Sequence, residues 1–134
     1  MNISELLTGK GWFVITADVA GRAPVLNDHA YTCLERQLDR LPFAFVPVTG
    51  VYRGEAAERG FLVFGDANTA RALCVAYDQE SVLTPDGLVN ANGWVIAPAV
   101  PSETVFGPAA AQRDYYTILP GGPEWSMGLD TSRM

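Results

Sequence analysis

The sequence predicts an α+β fold of the ferredoxin-like type: a βαββαβ antiparallel sheet with two helices on one face, plus a C-terminal β-hairpin extension. Three observations predict it. Short segments rich in β-branched and aromatic residues alternate with two segments whose apolar residues recur at helical spacing. Gly, Pro and Asp punctuate the boundaries between them. With 134 residues, 49% hydrophobic and 18% charged, the chain is long enough for a single domain, residues 12–89 forming its core and 90–134 the extension.

Each element has a local cause. Ile3 to Leu7 has room for one helical turn before Gly9-Lys10-Gly11 ends it. Trp12 to Ala17 is apolar or branched on both alternating faces, the pattern of a strand in the middle of a sheet. Asn27 reads as the N-cap of the first helix, with Leu26 and Tyr31 placed as a hydrophobic staple. Ala30, Tyr31, Leu34, Leu38 and Leu41 form the apolar stripe of that helix, and Pro42 stops it. Phe43 to Val51 and Phe61 to Gly65 read as two strands joined by the polar stretch Arg53 to Gly60, with Pro47 marking a bend or an edge. Asp66 caps a second helix that carries Ala70, Leu73, Cys74 and Tyr77 on one side. Ser81 to Thr84 is the fourth strand, ended by the Pro85-Asp86-Gly87 turn. The expected core is Val14, Leu34, Leu38, Phe45, Leu62, Phe64, Leu73 and Val82, and a one-residue register change moves each strand residue to the opposite face. In the tail, Tyr115 to Leu119 and Trp125 to Leu129 read as a hairpin around Pro120-Gly121-Gly122-Pro123, adding to an edge or covering the open sheet face.

Composition narrows the function classes. Fifteen acidic side chains against nine basic ones give a formal charge of -6, which repels phosphate backbones and anionic membranes, so no generic nucleic-acid or membrane binding is expected. No apolar run approaches the ~20 residues needed to cross a bilayer, and the start lacks a signal-peptide pattern, so the expected location is cytoplasmic. Two cysteines are no disulfide scaffold. His29 is the single histidine, a metal site needs further ligands at defined spacing, Cys33 and Cys74 are too few for a zinc site, and no metal or cofactor is expected. His29 reads as a solvated first-turn residue, and Cys74 as a small member of an apolar stripe. Gly9-Lys10-Gly11 lacks the glycine spacing and the following helix of a phosphate loop.

The stretch from Tyr52-Arg53-Gly54 to Glu58-Arg59 concentrates two guanidinium groups, two carboxylates and a phenol between two predicted strands. Loops held by a rigid sheet are where binding residues gather. Gln79-Glu80-Ser81 places polar groups at a helix-to-strand junction, and the tail aromatics Trp94, Phe106, Tyr115, Tyr116 and Trp125 are residue types that anchor interfaces as well as cores. The candidate contact residues are therefore Tyr52, Arg53, Glu58, Arg59, Gln79, Tyr116 and Trp125; no catalytic residue is assigned.

Residues Phe13 to Val89 carry further short motifs: Ile15-Thr16-Ala17 in the first strand, Asn27 opening a helix that contains Leu34 and Leu38, Gly50 with Tyr52, Glu58 ahead of Phe61-Leu62-Val63, and Gln79-Glu80-Ser81-Val82-Leu83. In these the chain resembles the small bacterial and phage family catalogued as domain of unknown function 3293. It departs from that pattern at Asp18-Val19-Ala20-Gly21, which keeps only the glycine of an Asn-Pro and Gly signature, and at Tyr77-Asp78 in place of Phe-Gly. The resemblance implies a cytoplasmic protein of a bacterial cell or phage-infected host and implies no mechanism. Two functions follow. The first is a non-enzymatic protein-interaction module, a phage or mobile-element accessory acting on a host protein, with a homodimer as the other association an exposed sheet edge allows. The alternative is a small enzyme or sensor for a nucleotide-like or other anionic metabolite, in which Arg53 and Arg59 hold the anion, Tyr52 or Tyr116 donates a hydrogen bond and Glu58 acts as base.

Overall fold

A computed structural model describes residues 3–132 and 134. The one-turn helix α1 (Ile3–Leu6) leads through a glycine-rich turn into β1 (Phe13–Thr16). Helix α2 (Pro24–Asp39) starts earlier than the sequence predicts, because Pro24 fills the first helical position, where its missing N–H is no loss, and Ala23 is the cap residue. Asn27 is therefore inside the first turn, and its side chain is bound to Val19 instead: its oxygen accepts from the Val19 N–H at 3.0 Å and its nitrogen donates to the Val19 carbonyl at 3.2 Å. After β2 (Phe45–Tyr52) and β3 (Glu58–Val63), Asp66 caps α3 (Ala67–Ala76), its carboxylate accepting the Thr69 N–H at 2.7 Å. Then comes β4 (Ser81–Thr84).

The predicted fold class needs correction. Instead of a small ferredoxin-like sheet with an appended hairpin, the described residues form one antiparallel sheet of nine strands. Five of them follow β4: β5 (Gly87–Asn90), at the end of the expected core, and four in the extension, β6 (Val95–Pro98), β7 (Val105–Phe106), β8 (Tyr115–Ile118) and β9 (Glu124–Ser126). The order is β6-β5-β4-β1-β3-β2-β8-β9-β7, so the tail extends both edges at once. The physical reason is that both outer strands of the β4-β1-β3-β2 group present unpaired backbone groups. Gly87, read as the end of a turn, opens β5 and brings it antiparallel to β4, with Thr84 opposite Gly87. β8 pairs with β2 from Thr49 to Tyr52, which leaves Pro47, having no N–H to donate, in the half of β2 flanked by β3 alone. Segment 115–126 is thus part of the sheet, with β8 and β9 side by side around the turn at Pro120-Gly121-Gly122-Pro123.

Burial on both faces explains the doubled pattern of the central strands. Phe13, Ile15, Phe61 and Val63 face the helices and pack with Leu34 and Leu38 of α2, Ala70, Leu73 and Cys74 of α3, and Val82. Val14, Leu62 and Phe64 point the other way, into a second cluster with Trp12, Val48, Leu119, Trp125 and Met127. The predicted core residues are accordingly divided between two layers: Val14, Leu62 and Phe64 belong to the second, while Leu34, Leu38, Phe45, Leu73 and Val82 belong to the first. At the centre of the second layer the rings of Trp12 and Trp125 meet edge to face, 5.3 Å between centroids, and Phe106 stacks on Trp125 at 6.3 Å.

The sheet curls around this second layer until its two ends meet. Beyond β6, Ala99 bridges Leu129, the Val100 N–H donates to the Gly128 carbonyl at 2.7 Å, and the Asp130 N–H donates to the Pro98 carbonyl at 2.8 Å. Gly128 sits so close to the opposite backbone that a Cβ there would lie 2.2 Å from the Val100 oxygen and 2.7 Å from the Glu103 Cβ. Gly128→Ala is expected to destabilise the protein by about 1–3 kcal/mol through overpacking, as measured by urea unfolding; a change below about 0.5 kcal/mol would show that the seam contributes little.

Candidate functional site

A groove of about 500 Å³ opens where the loop after β1 (residues 18–23), the first turn of α2 and the loop before β3 converge. Its two charged walls are built around Arg59. The side chain of Arg59 projects from β3 on the helix face and is only 42% exposed, with Nη2 2.9 Å from Asp18 Oδ1, Nε 3.3 Å from Asp18 Oδ2 and Nη1 2.8 Å from Asp28 Oδ1. Asp18 Oδ2 also accepts the backbone N–H of Arg59 at 2.9 Å. Two parallel bonds to one carboxylate match the planar fork of a guanidinium, and they hold its pKa above the ordinary arginine value, burial opposing and Asp28 assisting. The guanidinium lies 4.7 Å from the centroid of Tyr31, and Tyr31 stacks on Phe61 at 4.9 Å. Arg59 thus joins the helix-side core to the groove rim.

The second arginine of the groove is committed too. Arg22 donates from Nε to Asn27 Oδ1 at 2.7 Å and from Nη2 to the Ala17 carbonyl. What remains on the walls are carboxylates. Four of them, Asp18, Asp28, Glu55 and Glu58, face two guanidinium groups, a net charge of -2, with Val19, Ala20, Pro24, Ala56 and Ala57 as apolar floor. The side chains of Glu55 and Glu58 make no ion pair or hydrogen bond among the described residues. Burial raises the pKa of Glu58 above the usual carboxylate value, and repulsion from Asp18 and Glu55 raises it further.

Of the residues singled out from the sequence, the groove brings together Glu58 and Arg59. Gln79 supports it from behind, donating from its side-chain amide to the Asp18 and Tyr77 carbonyls, each at 3.2 Å. Arg53 points elsewhere: its guanidinium pairs with Asp114 at 3.2 Å and donates to the Gln112 carbonyl at 3.3 Å, both side chains of the pair being largely exposed. Tyr52 ends β2 beside Tyr115, its phenol pKa raised by packing and then by Glu58 and Glu55. Tyr116 is half-buried on β8, and Trp125 is 2% exposed, inside the second layer, out of reach of any partner. Arg53 and Arg59 therefore do not converge. Sequence reasoning missed Asp18, Asp28 and Arg22 and included Glu55 only as one of the two carboxylates of the 52–59 stretch; the acidic residues flanking the two loops were the available signal, but only the antiparallel pairing of Thr16 with Gly60 brings those loops together.

Comparison with known proteins finds no protein-family model that matches the chain and no similar protein among the curated ones. Among the described residues no helix is long and apolar enough to cross a membrane.

Two outcomes test this electrostatic arrangement. Arg59→Ala strips the largely buried Asp18 carboxylate of its fork and is expected to cost about 1–3 kcal/mol, whereas Arg53→Ala, at an exposed pair, is expected to change stability by less than about 0.5 kcal/mol; paired urea titrations check the contrast. For Glu58 the folded protein favours the protonated carboxyl, so ionisation above the raised pKa works against folding. Glu58→Gln is therefore expected to stabilise at neutral pH, with the gain shrinking as pH falls and vanishing below the ordinary carboxylate range. A gain that persists unchanged in acid would contradict the assignment.

Proposed function

We propose that the protein is a non-enzymatic interaction module that takes a basic segment of a protein partner into the groove between the 18–23 loop, α2 and the 55–59 loop. The observation that carries this reading is the state of the groove's charges: both guanidinium groups are satisfied within the chain, while Glu55 and Glu58 are unengaged. A Lys or Arg side chain entering there gains a charge-assisted bond, and it relieves the repulsion between Glu58 and its acidic neighbours. Val25 and Leu26, exposed on the first turn of α2, offer apolar contact beside it, giving the mixed rim of an interaction surface. A net charge of -6 favours association with a basic partner over long distances. A host protein engaged by a phage or mobile-element accessory protein is one source of such a segment.

The anionic-metabolite reading receives less support, because its two arginines lie apart and Arg59 is already neutralised by Asp18 and Asp28. The test is fluorescence anisotropy with labelled peptide panels of matched length, basic, neutral and acidic. Basic peptides are expected to bind, with affinity falling as salt rises, and the Glu55→Gln/Glu58→Gln double variant is expected to weaken them at least about tenfold while retaining its fold. Equal binding by the double variant, or preference for acidic peptides, would overturn the proposal. Nucleotides are expected to leave the melting temperature unchanged.

A further inference from the structure

Outside the groove, His29 and Cys33 form a side-chain contact on α2. Residues 29 and 33 stand one turn apart on α2, and that spacing turns both toward the same flank, placing His29 Nε2 3.5 Å from Cys33 Sγ. Zinc bonds of ~2.3 Å to sulfur and ~2.05 Å to imidazole nitrogen, held at the tetrahedral angle, put the two ligand atoms ~3.5 Å apart. The side chains are therefore already at the separation that one ion demands. Ligands four residues apart on a helix are also the arrangement by which two imidazoles share a zinc ion in helical metal sites. His29 is exposed and Cys33 half-buried, so solvent reaches the pair. The next polar group along the flank, Gln37, is engaged through Oε1 by the Tyr77 hydroxyl at 2.8 Å.

We propose that His29 and Cys33 form a two-point chelate for a borderline-to-soft divalent cation of the zinc class. On binding, the Cys33 thiol gives up its proton to solvent and Sγ coordinates as thiolate, while the neutral His29 ring coordinates through the Nε2 lone pair. The two open positions make the bound ion a point of attachment for a further donor. The chelate does not depend on the groove, since neither residue lines it. Cys74 is no competitor, being buried with its Sγ directed to the Gln79 carbonyl at 3.1 Å.

The test is a cobalt(II) titration of the reduced, metal-stripped full chain, followed by zinc competition. One equivalent per chain is expected, with a thiolate-to-cobalt charge-transfer absorption that zinc abolishes. Cys33→Ser is expected to remove that absorption. His29→Ala is expected to weaken binding at least about tenfold, a loss that residues merely supporting a metal ligand already produce. Circular dichroism on both variants, whose substitutions lie on the solvent side of α2, confirms that the helix is retained. Absence of the absorption in the unaltered protein, its survival in Cys33→Ser, or one ion per two chains would each overturn the two-point chelate.

Discussion

The central strands are apolar on both faces, and everything else in the structure answers that constraint. A strand such as β1, with Phe13 and Ile15 on one side and Trp12 and Val14 on the other, cannot rest on a single layer of helices without leaving large apolar surface in water. The two long helices cover one side. The other side is covered by the sheet itself, which continues through the tail strands and bends over its own concave face. The edge-to-face contact of Trp12 with Trp125 joins the start of the chain to its last strand at the middle of that second layer.

The same constraint positions the groove. Pairing of β1 with β3 brings the loop that follows one strand against the loop that precedes the other, and Arg59 fastens the two by holding Asp18 on one loop and Asp28 on α2. A fork-shaped cation with two carboxylates and an aromatic face around it is preorganised, so the rim keeps its shape without a ligand. Its own charge is spent in doing so. The groove lining carries more carboxylates than guanidinium groups.

Much of the local structure was legible in the sequence. Asp66 was recognisable as a cap because a carboxylate three residues ahead of Thr69 satisfies an otherwise unpaired helical N–H. The α2 stripe through Leu34 and Leu38 followed from helical spacing alone. The sheet was misjudged because strand pairing over long sequence distances leaves no periodic trace: nothing near Val51 announces that Tyr116 will lie opposite it. Asn27 was misread because a good capping side chain lost to Pro24, whose fixed backbone starts the helix earlier. In the candidate site, Glu58 and Arg59 were visible as a charged loop. The partners of Arg59, Asp18 and Asp28, lie 41 and 31 residues away along the chain, and only the fold reveals that the arginine is already taken.

The seam between residues 98–100 and 128–130 pairs backbone at the end of β6 with backbone beyond the end of β9. The edges of the nine-stranded sheet, β6 and β7, are short rows of unpaired backbone, and an unpaired edge is a template for another chain. The bridge of Ala99 to Leu129 pairs the backbone just past β6 within the chain, and Pro98, with no N–H to donate, ends β6. Part of the backbone that a flat sheet would offer to other chains is thus paired within the molecule by a few contacts near the end of the fold.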